Sequence, residues 1–168
     1  TYSTQAVDMT PLPSPAFGTS LDATLPEGGG GTPTDVALEA AYAYAKAQQT
    51  SPTNKAARTA VILVTDGLPC EDTCGDVNCD GGANAARLAA VKSKAAAALT
   101  GTPKVQTFVV GIRESTDPSN YATILNEMAT SGGTTQAIPI DTGDANATNN
   151  ALLASLAGHR PDEEAAVT

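Results

Sequence analysis

The chain has 168 residues, 41% hydrophobic and 16% charged, with nine Lys and Arg against eighteen Asp and Glu for a net charge of −9. That is one domain's length, and its apolar fraction is that of a globular chain rather than a disordered one. The acidic balance excludes the basic footprint that nucleic-acid binding needs, and no apolar run approaches the ~20 residues of a spanning helix.

The first residue is Thr1 and no signal-peptide h-region is present, as expected of a processed chain or an excerpt. Residues 4 to 9 read as a short extended piece. Pro11, Pro13 and Pro15 exclude regular helix through the stretch that follows, and Ser20 to Leu25 reads as a brief helix before Pro26. Gly28 to Gly31 form a flexible loop into Thr32-Pro33-Thr34. Pro near a first turn, with Thr or Asp as a capping residue, predicts an alanine-rich helix from about Asp35 to Gln49.

Ala60 to Thr65 is a β-branched run without alternation, which predicts a strand buried on both faces of a parallel sheet. A helix from about Ala83 to Leu99 follows, with Leu88, Val91, Ala95 and Leu99 as its core-facing stripe. Val105 to Ile112 is a second buried strand. Tyr121, Ile124, Leu125 and Met128 mark another helix, ended by Gly132-Gly133. Gln136 to Ile140 is a third strand, Leu152, Leu153 and Leu156 mark a last helix, and residues 159–168 are a polar tail.

Strands alternating with helical crossovers give the fold class: an α/β chain with a Rossmann-like, doubly wound, mostly parallel sheet, covered on both faces, over residues 1–158. In such sheets ligands bind outside the carboxyl ends of the strands. The places to examine are Thr65-Asp66-Gly67, Gly111-Ile112-Arg113 and the glycine loop with Thr32. Asp66 and Thr32 are hard oxygen donors, suited to Mg²⁺, Ca²⁺ or Mn²⁺ and poorly suited to zinc. Two donors are too few to hold such an ion. The plainer alternative is that Asp66 caps the turn after its strand and Thr32 begins a helix.

Cys70, Cys74 and Cys79 lie within ten residues, an odd count that suggests one disulfide plus a thiol, with the pairing open. Clustered cysteines, few Lys and many Thr, Ser, Asn and Ala point to an exported chain, extracellular, on the cell surface or periplasmic; reduced cytosolic cysteines are the alternative. The C-x3-C-x4-C spacing lacks a fourth zinc ligand. Asp76, Asn78 and Asp80, followed by Gly81, copy the first half of an EF-hand calcium loop, but Arg87 stands where the bidentate Glu belongs. An Asx-rich turn braced by a disulfide accounts for the same residues. No Lys-Ser/Thr follows the glycines, so they are not a Walker A loop. His159 has no evident acidic or nucleophilic partner. Tyr42 and Tyr44, two apart on a helix, point to different faces.

Gly29-Gly30-Gly31-Thr32-Pro33-Thr34 with Ala37-Leu38, then Val61 to Gly67, then Phe108 to Ile112, is similar in order and spacing to the von Willebrand factor type A domain. Leu125 to Ala129 with Gly132-Gly133-Thr134 matches the region that follows in many bacterial members. The resemblance implies a metal-ion-dependent adhesion site, with Thr32 as the loop threonine on the ion and Asp66 acting directly or through water. It implies a non-enzymatic module that binds an acidic group of a protein or glycan through a divalent cation, Mg²⁺ foremost, with Ca²⁺ or Mn²⁺ as alternatives. The family's opening strand, ending in Asp-x-Ser-x-Ser, has no counterpart; Asp8-Met9-Thr10 and Asp22-Ala23-Thr24 are poor imitations. The chain therefore reads as a domain without its first strand, first helix and second strand, that part lying upstream or on another subunit. Such a loss predicts an unpaired strand edge and exposed apolar surface. The competing expectation is an assembly subunit with an incomplete metal site, completed by another chain. A phosphoryl hydrolase using Asp66 ranks last, because no nucleophile or second acidic cluster can be assigned.

Overall fold

The structure is a computed structural model that describes residues 4–24, 31–53, 58–70, 82–113, 117, 119–141 and 150. The elements in chain order are α1 (Pro15–Ala23), α2 (Thr34–Thr50), β1 (Ala60–Thr65), α3 (Gly82–Thr100), β2 (Gln106–Arg113), α4 (Tyr121–Ser131) and β3 (Ile138–Asp141). The three strands form one parallel sheet in the order β1-β2-β3, with Ala60 opposite Gln106 and Val110 opposite Ile138. This is the α/β class that the alternation of elements predicts, a small Rossmann-like sheet with helical crossovers.

The order β1-β2-β3 follows the chain, so α3 and α4 carry successive parallel connections and pack side by side. The core gathers Leu38, Tyr42 and Ala45 of α2, Val91, Ala95 and Ala98 of α3, and Ile124, Leu125 and Met128 of α4 against Val61 and Val109. Spacings of three and four residues, with Ile124 and Leu125 both reached from Met128, put each set on one helical face. At about 1.5–3 kcal/mol for each large apolar side chain removed from water, this stripe holds the helices to the sheet. The ion pairs between helices, Arg87 with Asp35 at 2.6 Å, Lys94 with Glu39 at 2.6 Å and Lys92 with Glu127 at 2.8 Å, are partly exposed and contribute far less.

Polar contacts fix the packing where the apolar stripe cannot. The hydroxyls of Tyr42 and Thr107 share a buried hydrogen bond of 2.8 Å, which pins α2 to the central strand. Thr107 N–H donates to Gly132 C=O at 2.9 Å, and Thr134 Oγ1 donates to Ala129 C=O at 3.0 Å, closing the end of α4 onto β2. Gly133 turns the chain there at φ +87°, a conformation that favours glycine.

Two expectations need correction. β1 is not buried on both faces. Val61 and Thr65 are covered, whereas Ile62 and Val64, on the opposite face, are 49% and 58% exposed. The described core lies on one side of β1, so a run of β-branched residues with no alternation is here covered, among the described residues, on one face only. The second correction concerns the first helix, which begins at Pro15 rather than Ser20: Ser14 Oγ accepts a hydrogen bond from Ala16 N–H at 3.3 Å, and proline at the first helical position costs no intrahelical bond. The expected helix around Leu152 to Leu156 and the tail at 159–168 lie outside the described residues.

An alanine Cβ at Gly132 would stand 2.5 Å from Thr107 Cβ and 3.0 Å from Thr107 O. Gly132→Ala is expected to lower unfolding stability by about 1–3 kcal/mol in urea titration. Gly18→Ala, with nothing within 4 Å and in a helix that buries no residue, should stay within about 0.5 kcal/mol of the parent.

Candidate functional site

Parallel strands all point their carboxyl ends one way, so the loops after β1 and β2 open at the same edge of the sheet. At the end of β1 the buried Thr65 curls the chain: its Oγ1 donates to Gly67 C=O at 2.7 Å and accepts from Gly67 N–H at 3.2 Å. The turn leaves Asp66 exposed at its apex.

The loop before α2 comes to the same place. Cys70 N–H donates to Thr32 C=O at 3.2 Å, and Thr32 N–H donates to Cys70 Sγ at 3.3 Å, joining segments thirty-eight residues apart. The Thr32 carbonyl also accepts from Thr34 N–H at 2.8 Å. α2 starts behind Pro33 with no side-chain cap, so Thr32 is not its capping residue. Thr32 Oγ1 lies 3.4 Å from where a Cβ on Gly67 would be, ordinary van der Waals contact, which places the threonine hydroxyl beside the residue next to Asp66. Cys70 is buried and disulfide-bonded, so this clasp is covalently anchored.

Tyr121, at the start of α4, ties the ends of β1 and β2 together. Its hydroxyl lies 3.0 Å from Ile112 C=O and 3.3 Å from Thr65 C=O and donates to both carbonyls. Burial, then the negative charges of Asp117 and Asp66, push its pKa up from the ordinary tyrosine value of 10.0 to about 12, with Arg113 opposing. Asp66, Asp117 and Arg113 thus all act on one hydroxyl at the carboxyl edge. A small cleft of about 170 Å³, bordered by Arg113, Tyr121 and Asn126, opens beside it.

Thr32 and Asp66 are therefore brought to one place. Asp76, Asn78 and Asp80 of the EF-hand-like stretch, together with Cys74 and Cys79, lie outside the described residues. Arg87, the twelfth residue of that pattern, engages Asp35 at 2.6 Å. Tyr42 and Tyr44 do face apart: Tyr42 enters the core, and Tyr44 Oη accepts from Met9 N–H at 2.8 Å. Sequence reading missed Tyr121 and Asp117. Tyr121 sits in a helical apolar stripe that hides the use of its hydroxyl, whereas Asp117 follows β2 and was within reach of the rule that ligands gather after parallel strands.

Among the described residues there is no group of three or more His, Cys, Asp or Glu able to hold a metal ion. Nor is any of their helices long and apolar enough to cross a membrane. Comparison with family models, with characterised proteins and with solved structures finds no match for the chain.

The raised pKa of Tyr121 means the folded state holds the phenol proton more tightly than the unfolded chain does. Its contribution is complete below pH 10 and is lost as pH rises towards about 12. Absorbance titration of phenolate is expected to show one late-ionising tyrosine that Tyr121→Phe removes. An ordinary alkaline midpoint for that residue would contradict the geometry.

Proposed function

We propose that the chain is a non-enzymatic binding module that engages an acidic group of a protein or glycan partner through a divalent cation at the carboxyl end of β1. The observation that carries this reading is the convergence of the Thr32 hydroxyl on the turn that presents Asp66. A hydroxyl and a carboxylate suit Mg²⁺ first, with Ca²⁺ or Mn²⁺ as alternatives. They are two donors, so the residues fit an ion shared with a partner's carboxylate and water, and do not fit an ion held by this chain alone. The cation's charge would then offset the repulsion between the partner's acid and Asp66.

The similarity to the von Willebrand factor type A domain rests on Thr32 and Asp66 standing in matching motifs, and it supports the same reading. The disulfide at Cys70 supports an oxidising location, outside the cell, on its surface or in a periplasm. The sheet edge also carries Arg113, a fixed positive charge that offers an acid a second, cation-free contact.

Calorimetric titration of Mg²⁺ into the chain is expected to give weak binding, with Kd about 10⁻⁴–10⁻³ M. Asp66→Ala and Thr32→Ala should each weaken it at least about tenfold while leaving the circular dichroism unchanged. A hexaglutamate peptide should be retained by the immobilised chain in Mg²⁺ and released by EDTA. Retention that survives EDTA and depends on Arg113 instead of Asp66 would overturn the proposal.

A further inference from the structure

The disulfide sulfur of Cys70 is part of the scaffold that positions Thr32. Cys70 Sγ accepts the hydrogen bond from Thr32 N–H at 3.3 Å and lies 3.9 Å from Thr32 Oγ1. The same sulfur is bonded to a second cysteine. One atom therefore carries both a covalent anchor and the contacts that place the Thr32 hydroxyl beside Gly67. A backbone bond, from Cys70 N–H to Thr32 C=O at 3.2 Å, joins the two segments independently of the sulfur.

The reach of that disulfide is short. The chain has three cysteines, Cys70, Cys74 and Cys79, so either partner closes a loop of at most ten residues. The shorter the loop a disulfide closes, the less it restrains the unfolded chain. Cys70 is buried but stands outside the apolar cluster that holds α2, α3 and α4 to β1 and β2. The bond therefore acts locally, on the segment that Cys70 clasps.

We infer that the Cys70 disulfide is a redox switch on the Thr32 loop. Oxidised, it fixes the threonine hydroxyl beside the Asp66 turn; reduced, it loosens that loop and weakens the site for its cation. The switch itself rests on the distances above, and only its consequence for the cation rests on the function proposed earlier. The reductant is a dithiol. Cys70 is 3% exposed and so closed to attack; the dithiol's thiolate bonds to the partner sulfur, and Cys70 leaves as a thiolate. The dithiol's second sulfur then displaces the partner cysteine from this mixed disulfide and closes the reductant's own S–S bond. Two electrons pass to the protein, and the two thiol protons end on Cys70 and its partner. Freed of its anchor, the Cys70 side chain can turn about its Cα–Cβ bond, and Thr32 N–H loses a fixed acceptor. The site is thus assembled in an oxidising compartment and loosened in a reducing one.

The test compares the full chain in EDTA before and after dithiothreitol, with complete reduction confirmed on a sample as three alkylated cysteines. Hydrogen exchange at the Thr32 amide is expected to quicken about tenfold or more on reduction, with the Val109 amide of β2 unchanged. In calorimetric titration without EDTA, the reduced chain should bind Mg²⁺ about tenfold more weakly than the oxidised one. A Cys74→Ser/Cys79→Ser variant, which leaves Cys70 no partner in the chain, should match the reduced protein with or without dithiothreitol. An unchanged Thr32 amide, or measurable and equal Mg²⁺ binding in both states, would overturn the switch and leave the cation reading standing. Loss of Val109 protection on reduction would also overturn it, since the bond would then hold the whole fold. A quickened Thr32 amide with no Mg²⁺ binding in either state would instead overturn the cation reading and keep the switch.

Discussion

The parallel alignment of β2 with both neighbours is the constraint on which the rest depends. Parallel strands cannot be joined by tight turns, so each step from β1 to β2 to β3 needs a helix, and α3 and α4 supply them. The core therefore builds up around β2, which among the described residues is the strand paired on both edges. Small residues of α3, Ala95 and Ala98, let that helix lie close against the sheet, and Thr107 bonds Tyr42 of α2 and Gly132 at the end of α4, holding those helices to β2. The same alignment sends the ends of β1 and β2 to one edge.

At that carboxyl edge, three short-range devices produce one surface. Thr65 closes a turn on Gly67 that holds Asp66 outward, Cys70 clasps the backbone of Thr32, and Tyr121 bridges the two strand ends. None of these is strong alone, since a single hydrogen bond contributes about 1 kcal/mol net. Their joint effect is positional: the Thr32 hydroxyl, from a segment distant in the chain, stands beside Gly67, the residue next to the exposed Asp66. The arrangement is open and short of donors, which suits a shared ion and not a sealed structural one. Asp117 adds negative charge to the same edge, and Arg113 adds an opposing positive charge.

Much of this was legible in the residues. Ala60–Thr65 has the limits its β-branched run predicts, β2 is displaced by one residue, and the buried positions of α4 are those its apolar spacing selects. The meeting of Thr32 with the Asp66 turn follows from placing both after or between elements at one edge. What the residues did not reveal is how many neighbours each strand has. Val61 to Val64 would read the same at the centre of a sheet as at its border, because composition reports tolerance of burial and not its presence. The hydrogen-bonding role of Tyr121 was hidden for a related reason: a tyrosine in an apolar stripe is counted for its ring. In the sequence Pro15 reads as a barrier, although position decides whether proline stops a helix or starts one.

The central claim, that Thr32 and Asp66 form one cation-assisted site, is tested most directly by titrating Mn²⁺ into the isotopically labelled chain and mapping paramagnetic broadening of backbone amides. The account predicts early, selective loss of the Thr32, Asp66 and Gly67 signals, abolished by Asp66→Ala. Broadening centred on Glu39 or Glu127 with those three amides untouched, or none at all, would contradict it.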